Sequence, residues 1–413
     1  MASTYLTSNT GTATNAKKFT LSMWIKRSSL CDTNSQRFYQ GYQDGNNRFY
    51  AMFDNTNSYP DSLWVYAVTG GSTQVYWYSA RKFRDLNAWY HIVFSADSTQ
   101  ASQADRLKVY VNGVEETSWT KTNNPSQNID WGNQLAQSNN DLTISGTESQ
   151  TQLFDGSMSH IHFIDGTAYD ATAFGSTDAT TGEWKINTSP SVTYGNNGYF
   201  ILKDGNSVTD QSPNSNNFTV GGGTLTKTED NPSNVFATLN PLARRLTNNA
   251  PTYLNGNTSL QGQTVDGQYN NAIATIGDIS TGKFYWEVKV GNIADGFGVG
   301  ISDTPNQANG TTSGNYYVYY GADGNKDVNG STTSYGASYT TNDIIGVAID
   351  ATSGSVTFYK NGVSQGTADT ALITNMVHGY TPVGYTNKGL MNWNLGNGYF
   401  GTTAVSSAGT NAS

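Results

Sequence analysis

The chain has 413 residues, of which 36% are hydrophobic and only 13% charged, with 44 Gly, 26 Tyr, 16 Phe and 9 Trp. A formal net charge of −9 excludes a nucleic-acid partner, because neutralising phosphates takes clustered Lys and Arg, and the densest basic stretches are only Lys17–Lys18, "RKFR" at 81–84 and "RR" at 244–245. One cysteine, Cys31, excludes an intrachain disulfide framework and any Cys-based zinc site, and the length calls for two or three domains.

The first strands read from alternation. "FTLSMWIK" at 19–26 sets Phe19, Leu21, Met23 and Ile25 against Thr20, Ser22 and Trp24, the period-two pattern of a strand with one core face. "SLWVYAV" at 62–68 and "VYWYSA" at 75–80 flank Gly70-Gly71 and form a hairpin rich in Trp64, Tyr66, Tyr76, Trp77 and Tyr78. "WYHIVFSAD" at 89–97 leads through a polar turn into "LKVYVNG" at 107–113, and "DLTISG" and "DGSMSHIHFIDG" follow at 141–146 and 155–166. Asn112-Gly113 suits a two-residue type I′ turn, and so does Asn361-Gly362 in "VTFYKNGVSQ".

From 176 to about 235 Gly, Asn, Ser and Thr dominate, with short strands at "YFIL" (199–202) and "FTV" (218–220); this reads as an ordered connector. A further strand set follows: "GKFYWEVKV" at 282–290, "GFGVGIS" at 296–302, "DIIGVAID" opening 343–366, "TPVGY" at 381–385 and "WNLG" at 393–396. The expectation is an all-β chain of two antiparallel, jelly-roll-like β-sandwiches: 1–175, a 176–235 connector, 236–400, and a 401–413 tail.

The succession of Trp89, Tyr110-x-Asn-Gly and Phe154-x-Gly156 resembles the concanavalin A-like, laminin G-type sandwich. Tyr285-Trp286-Glu287, Gly298-x-Gly300, Asp343 to Asp350, Phe358-Tyr359-Lys360-Asn361-Gly362 and Asn394-Leu395-Gly396 resemble a SPRY (B30.2-type) domain. The order of the two, with "DQSPNSNNFTV" and "DNPSNVFATLNPL" between them, resembles virion proteins of tailed phages. That resemblance implies a location on the virion surface, assembly in the host cytoplasm and release by lysis. It also implies partners among other virion proteins and a host surface glycan or protein, with a homotrimer left open. The opening "MASTYLTSNTGTATNAKK" has no apolar core of a signal peptide, and no stretch approaches a membrane span, so neither secretion by that route nor membrane insertion is expected.

Catalysis is weighed because glycoside hydrolases use the same sandwich. They need two carboxylates about 5–10 Å apart on one face, and the six Glu offer no such set: Glu115 and Glu116 point oppositely, and Glu148, Glu183, Glu229 and Glu287 are far apart. His160 and His162 share a strand face at a spacing zinc can use, without an evident third ligand. "DGNKDVNG" at 323–330 places Asp323, Asn325 and Asp327 at alternate positions, so a calcium site is left open against ordinary Asx turns. The candidate ligand contacts are aromatic: Trp64, Tyr66, Trp77 and Tyr78 in the first half, and Tyr317 and Tyr319 of "NYYVYYG" in the second. The reading is a non-enzymatic binding protein of the tail-fibre or receptor-binding kind. A head fibre or capsid decoration protein, favoured by the lack of a repeat-built shaft, and a polysaccharide depolymerase are the alternatives.

Overall fold

The computed structural model describes residues 4–405 apart from 32–33, 57, 132–140, 148, 204–206, 229, 244–250, 264–269, 294–295, 305–314 and 373–377. It is all-β, with antiparallel sheets grouped in two compact units: residues 1–227 with 231–234, and residues 228–230 with 235–413. The Arg244-Arg245 pair, Glu148 and Glu229 lie outside the described residues.

In the first unit an eight-stranded sheet runs in the order Trp119–Asn123, Ser72–Lys82, Ser62–Thr69, Asn47–Phe53, Gln36–Asp44, Asp141–Ile144, Tyr5–Asn9, Thr219–Gly222. It faces a six-stranded sheet in the order Tyr199–Ile201, Gly156–Asp165, Lys18–Arg27, Tyr90–Asp97, Leu107–Val111, Val114–Glu115. Phe19, Leu21, Met23 and Ile25 point into one core with Phe49, Ala51, Phe53, Leu63, Val65 and Trp77 of the opposite sheet, as alternation requires. The other face of Lys18–Arg27 is buried as well, contrary to a simple inside-outside pattern: Thr20, Ser22 and Trp24 are all covered. The chain after Asp165 supplies the cover, laying Ala171, Phe174, Trp184 and Tyr194 over Val93 and Ile164.

The 176–235 segment does more than connect. Tyr199–Ile201 pairs with Gly156–Asp165 and Thr219–Gly222 pairs with Tyr5–Asn9, so each becomes an edge strand of the first sandwich. The physical reason lies in three apolar residues that need a core: Tyr199, Ile201 and Phe218 are buried in that of the first unit. Between the two strands, "DQSPNSNNF" wraps the buried Asp210 carboxylate, which accepts from Phe200 N, Ser212 N and Asn216 N, each at 2.8 Å, and from Ser212 Oγ at 2.7 Å. A polar stretch is thereby fixed without an apolar face of its own.

The second unit pairs a seven-stranded sheet (Thr252–Leu254, Ser259–Gln261, Leu390–Asn394, Lys283–Asn292, Ile344–Asp350, Ser355–Lys360, Val363–Asp369) with a six-stranded one (Asn270–Ile273, Thr381–Thr386, Phe297–Ser302, Tyr316–Tyr320, Asn325–Val328, Ser331–Ser334). Trp286, Val288, Ile345, Val347, Phe358 and Trp393 fill its core from one side and Val299, Ile301, Tyr317 and Tyr319 from the other. A Cβ at Gly300 would strike the Tyr317 carbonyl oxygen, so the glycine there permits two backbones to approach.

The repeated Asn-Gly pairs have a common geometry. Both residues take positive φ in Asn112-Gly113 (48° and 80°), Asn361-Gly362 (49° and 79°) and a third pair, Asn329-Gly330 (54° and 85°), the signature of type I′ turns. In each case the Asn Oδ1 also accepts from a backbone N–H of the neighbouring strand, His91, Ile344 or Tyr316, at 2.8 Å. The motif recurs because the amide side chain ties a third strand to the turn.

Candidate functional site

The outer face of the eight-stranded sheet carries a continuous aromatic cluster. On Asn47–Phe53, Ser62–Thr69 and Ser72–Lys82 the residues alternating with the core set are Tyr50, Trp64, Tyr66, Tyr76 and Tyr78. Direct cross-strand partners are Tyr50 with Tyr66, Tyr66 with Tyr76, and Trp64 with Tyr78. Their rings form a continuous layer: Tyr50 stacks on Tyr66 at 4.9 Å, Trp64 on Tyr78 at 5.1 Å and Tyr59 on Tyr78 at 4.2 Å, while Trp64 meets Tyr76 edge-on at 5.5 Å. Aromatic pairs at such spacings stabilise by about 1 kcal/mol each beyond their buried area. Trp64, Tyr66 and Tyr76 remain partly exposed, whereas Tyr50 and Tyr78 are buried beneath their neighbours.

Two cations border this layer. Arg37 lies 3.9 Å over the Tyr50 ring and Arg48 5.4 Å over the Tyr66 ring, the geometry of cation–π contacts. Arg37 donates to Gln152 Oε1 at 2.8 Å and also to Gln40. With Tyr42, Tyr50, Thr147, Ser149 and Thr151 the two arginines line a cleft of about 250 Å³. Burial works against charge on Arg48, but a hydrogen bond with Tyr66 and the electrostatic influence of Tyr66, Tyr50 and Tyr42 together outweigh it and keep the guanidinium cationic. Burial drives the Tyr50 hydroxyl well above its ordinary range, so it stays a neutral donor.

The remaining sequence candidates fall elsewhere. Trp77 does not belong to the outer layer: it is 2% exposed in the first core, with Nε1 donating to Asn123 O at 2.6 Å, because it sits one residue out of phase with Tyr76 and Tyr78. Tyr317 and Tyr319 are likewise core residues, at 1% and 0% exposure. Both point inward while Tyr316 and Val318 pack on the opposite face of the strand. Of the six candidate aromatics, then, Trp64, Tyr66 and Tyr78 share one face and the other three lie in cores. The layer's further members Tyr50 and Tyr59, and Arg37 and Arg48 beside them, went unremarked in the sequence, although Tyr50 alternates visibly with Phe49 and Ala51 in "FYAMF".

Asp323, Asn325 and Asp327 belong to a hairpin. Asp323 accepts from Asn325 N at 3.0 Å and from Asn325 Nδ2 at 2.7 Å, an Asx turn. Asn325 and Asp327 then lie on Asn325–Val328, and Asp327 accepts from Gly330 N at 2.8 Å across the Asn329-Gly330 turn. Among the described residues no three His, Cys, Asp or Glu side chains are gathered as a metal would need. His160 and His162 are separated by a bulge, in which His160 takes φ 47°; His160 Nδ1 meets Ser159 Oγ at 2.7 Å and His162 Nδ1 meets Tyr194 Oη at 2.9 Å. The glutamates are dispersed: Glu116 pairs with Arg81 Nε at 2.8 Å and Glu287 accepts from Tyr285 Oη at 2.8 Å.

Comparison with known proteins agrees with the two sandwiches. Residues 1–172 match a family model described as the concanavalin A-like lectin/glucanases superfamily (laminin G type), and residues 283–383 match the SPRY domain. Among solved structures the chain is similar to the SPRY domain of human HERC1 (20% identity, 38% of this chain and 96% of that one, TM-score 0.32). Others are the TRIM65 PSpry domain (15%, 38% and 89%, 0.31) and stonustoxin (16%, 38% and 27%, 0.30). A search of curated proteins found no match. The chain carries a concanavalin A-like, laminin G-type domain followed by a SPRY domain.

Proposed function

We propose that this chain is a non-enzymatic adhesion protein that holds host-surface glycan on the outer aromatic face of its first sandwich. The observation that carries the reading is the partly exposed ring layer of Trp64, Tyr66 and Tyr76, backed by Tyr50 and Tyr78. A soluble sandwich ordinarily presents polar residues on an outward sheet face, and a contiguous aromatic patch there marks a binding surface. Sugar rings offer flat C–H faces that such rings cover, while Tyr hydroxyls meet sugar hydroxyls. The likeness of the domain order to virion proteins of tailed phages supports a place on the surface of such a virion, in a receptor-binding device. The lack of a shaft of repeats favours a second placement, as a head fibre or decoration protein, with the same face outward. Cleavage of the glycan is not part of the reading, because Glu116 is tied to Arg81 and, among the described residues, none that lines the adjoining cleft is a carboxylate.

The test is attachment. Trp64→Ala in the full chain should lower binding to host cells about tenfold or more while the fold, read by circular dichroism, persists. Undiminished attachment by a folded Trp64→Ala protein would refute the proposal, and release of reducing ends from host polysaccharide would refute its non-enzymatic part.

A further inference from the structure

We infer that the glycan held by this face is anionic, with a carboxylate or sulfate of one sugar seated in the cleft between Arg37 and Arg48; the inference rests on the glycan-binding reading above.

The cleft is chemically unlike the rest of the molecule. The protein carries 31 acidic against 22 basic residues, yet among the described residues the seven that line the cleft include two arginines and no acid. Arg48 forms no ion pair with a carboxylate among the described residues, and its Nε is buried without a hydrogen-bond partner. Its neighbours are instead tyrosines: the groups acting on its charge are Tyr66, Tyr50 and Tyr42. Partial burial of a guanidinium costs energy; the tyrosines offset that cost with hydroxyls and ring faces but bring no formal negative charge to the cleft. An incoming carboxylate or sulfate would supply the missing charge through the planar donor fork that arginine offers to such groups.

The surroundings suit a sugar more than a bare ion. Thr147, Ser149 and Thr151 bring hydroxyls to one wall, and Tyr42 and Tyr50 bring rings and hydroxyls to the other. Tyr50 also stacks on Tyr66, so a chain anchored by its charge in the cleft continues directly onto the aromatic layer. The 250 Å³ of the cleft lies just under the usual range of small-molecule pockets.

Binding of the full-length protein to three soluble probes tests this: an oligouronate, a sulfated oligosaccharide and a neutral glucan of equal length. The wild type should bind at least one charged probe about tenfold or more tighter than the neutral one, and this preference should shrink as salt rises from 50 to 500 mM. Arg48→Gln should weaken the charged probe by about tenfold to a hundredfold, at least tenfold more than it weakens the neutral one. A probe-side control avoids dependence on folding of the variant: reducing the carboxyls of the oligouronate to alcohols should abolish the preference for it. Equal affinity for charged and neutral probes, or no loss in a folded Arg48→Gln protein, overturns the anionic assignment while the glycan-binding reading stands. Failure of all three probes and of host polysaccharide overturns both. Preference for the oligouronate identifies the carboxylate, and preference for the sulfated probe the sulfate.

Discussion

Acid should destabilise the first sandwich well before its carboxylates titrate, and His91 gives the magnitude. The ring is fully buried, stacked on Trp24 at 4.7 Å and on Trp184 at 6.0 Å. Trp184 Nε1 can only donate, and it donates to His91 Nδ1 at 3.0 Å, so the ring proton must sit on Nε2, facing Ser22 Oγ at 2.8 Å. Protonating Nδ1 would set two donors against each other in a site without a counter-ion. Burial accordingly pushes the His91 pKa down to about 3 from 6.5. Since the folded pKa is the lower one, the unfolded chain binds more protons between pH 6.5 and 3. Stability is therefore complete above 6.5 and falls as the pH drops through that window. Between pH 7 and pH 5 the loss from His91 alone is about 2 kcal/mol, roughly 4–8 °C in Tm for a unit of this size. His162 acts in the same direction, through burial first and then the charges of His160, His91 and Lys203. Asp97, held at about 2 by hydrogen bonds from Thr99, Gln100 and Lys18 that outweigh its burial, begins to contribute only below about pH 3.8. Calorimetry of the wild type and of His91→Gln, which keeps an acceptor for Trp184, at pH 7 and pH 5 checks the reasoning. The variant should lose about 4–8 °C less than the wild type over that interval, and an equal drop in both would refute it.

Three further predictions come from the packing. Trp77→Ala should cost about 3–5 kcal/mol of stability in urea unfolding, whereas Trp64→Ala should cost less and act on binding; the reverse ranking would show that the faces are misassigned. Asp210→Ala leaves four donors around a buried site without their acceptor and should destabilise by about 3 kcal/mol, seen as a lower urea midpoint of the first unit; an unchanged midpoint would mean that water replaces the carboxylate. Limited proteolysis should cut first near 228–235, where the two compact units part, while 207–222 resists as part of the first sandwich; early cleavage at 210–218 would contradict that strand assignment.

What could be read from the sequence was local. Period-two runs such as "FTLSMWIK" and Asn-Gly turns specify strands and hairpins through neighbouring residues only, and both reappear in the structure. Which strand face meets solvent is a tertiary matter. In "VYWYSA" the phase alone separates Tyr76 and Tyr78 from the inward Trp77, and in "NYYVYYG" every position from 316 to 320 is Tyr or Val, so Tyr317 and Tyr319 could not be told from Tyr316. The burial of both faces of Lys18–Arg27 depends on a covering segment some 150 residues later. The short strands "YFIL" and "FTV" are legible in the sequence, but their partners are not: long-range pairing with Gly156–Asp165 and Tyr5–Asn9 makes them edges of the first sandwich. The oxygen-rich "DGNKDVNG" reads like a metal loop because turn chemistry and calcium chemistry use the same side chains. The Asn329-Gly330 hairpin accounts for its spacing.

The most direct measurement of the central claim is a crystal structure of the full chain with an oligosaccharide from the host surface. The account predicts a sugar ring lying flat on Trp64, Tyr66 or Tyr76, with a charged group of the same chain toward Arg48. A glycan bound only on the SPRY domain, or at the loops of the first sandwich with the aromatic face bare, would contradict it.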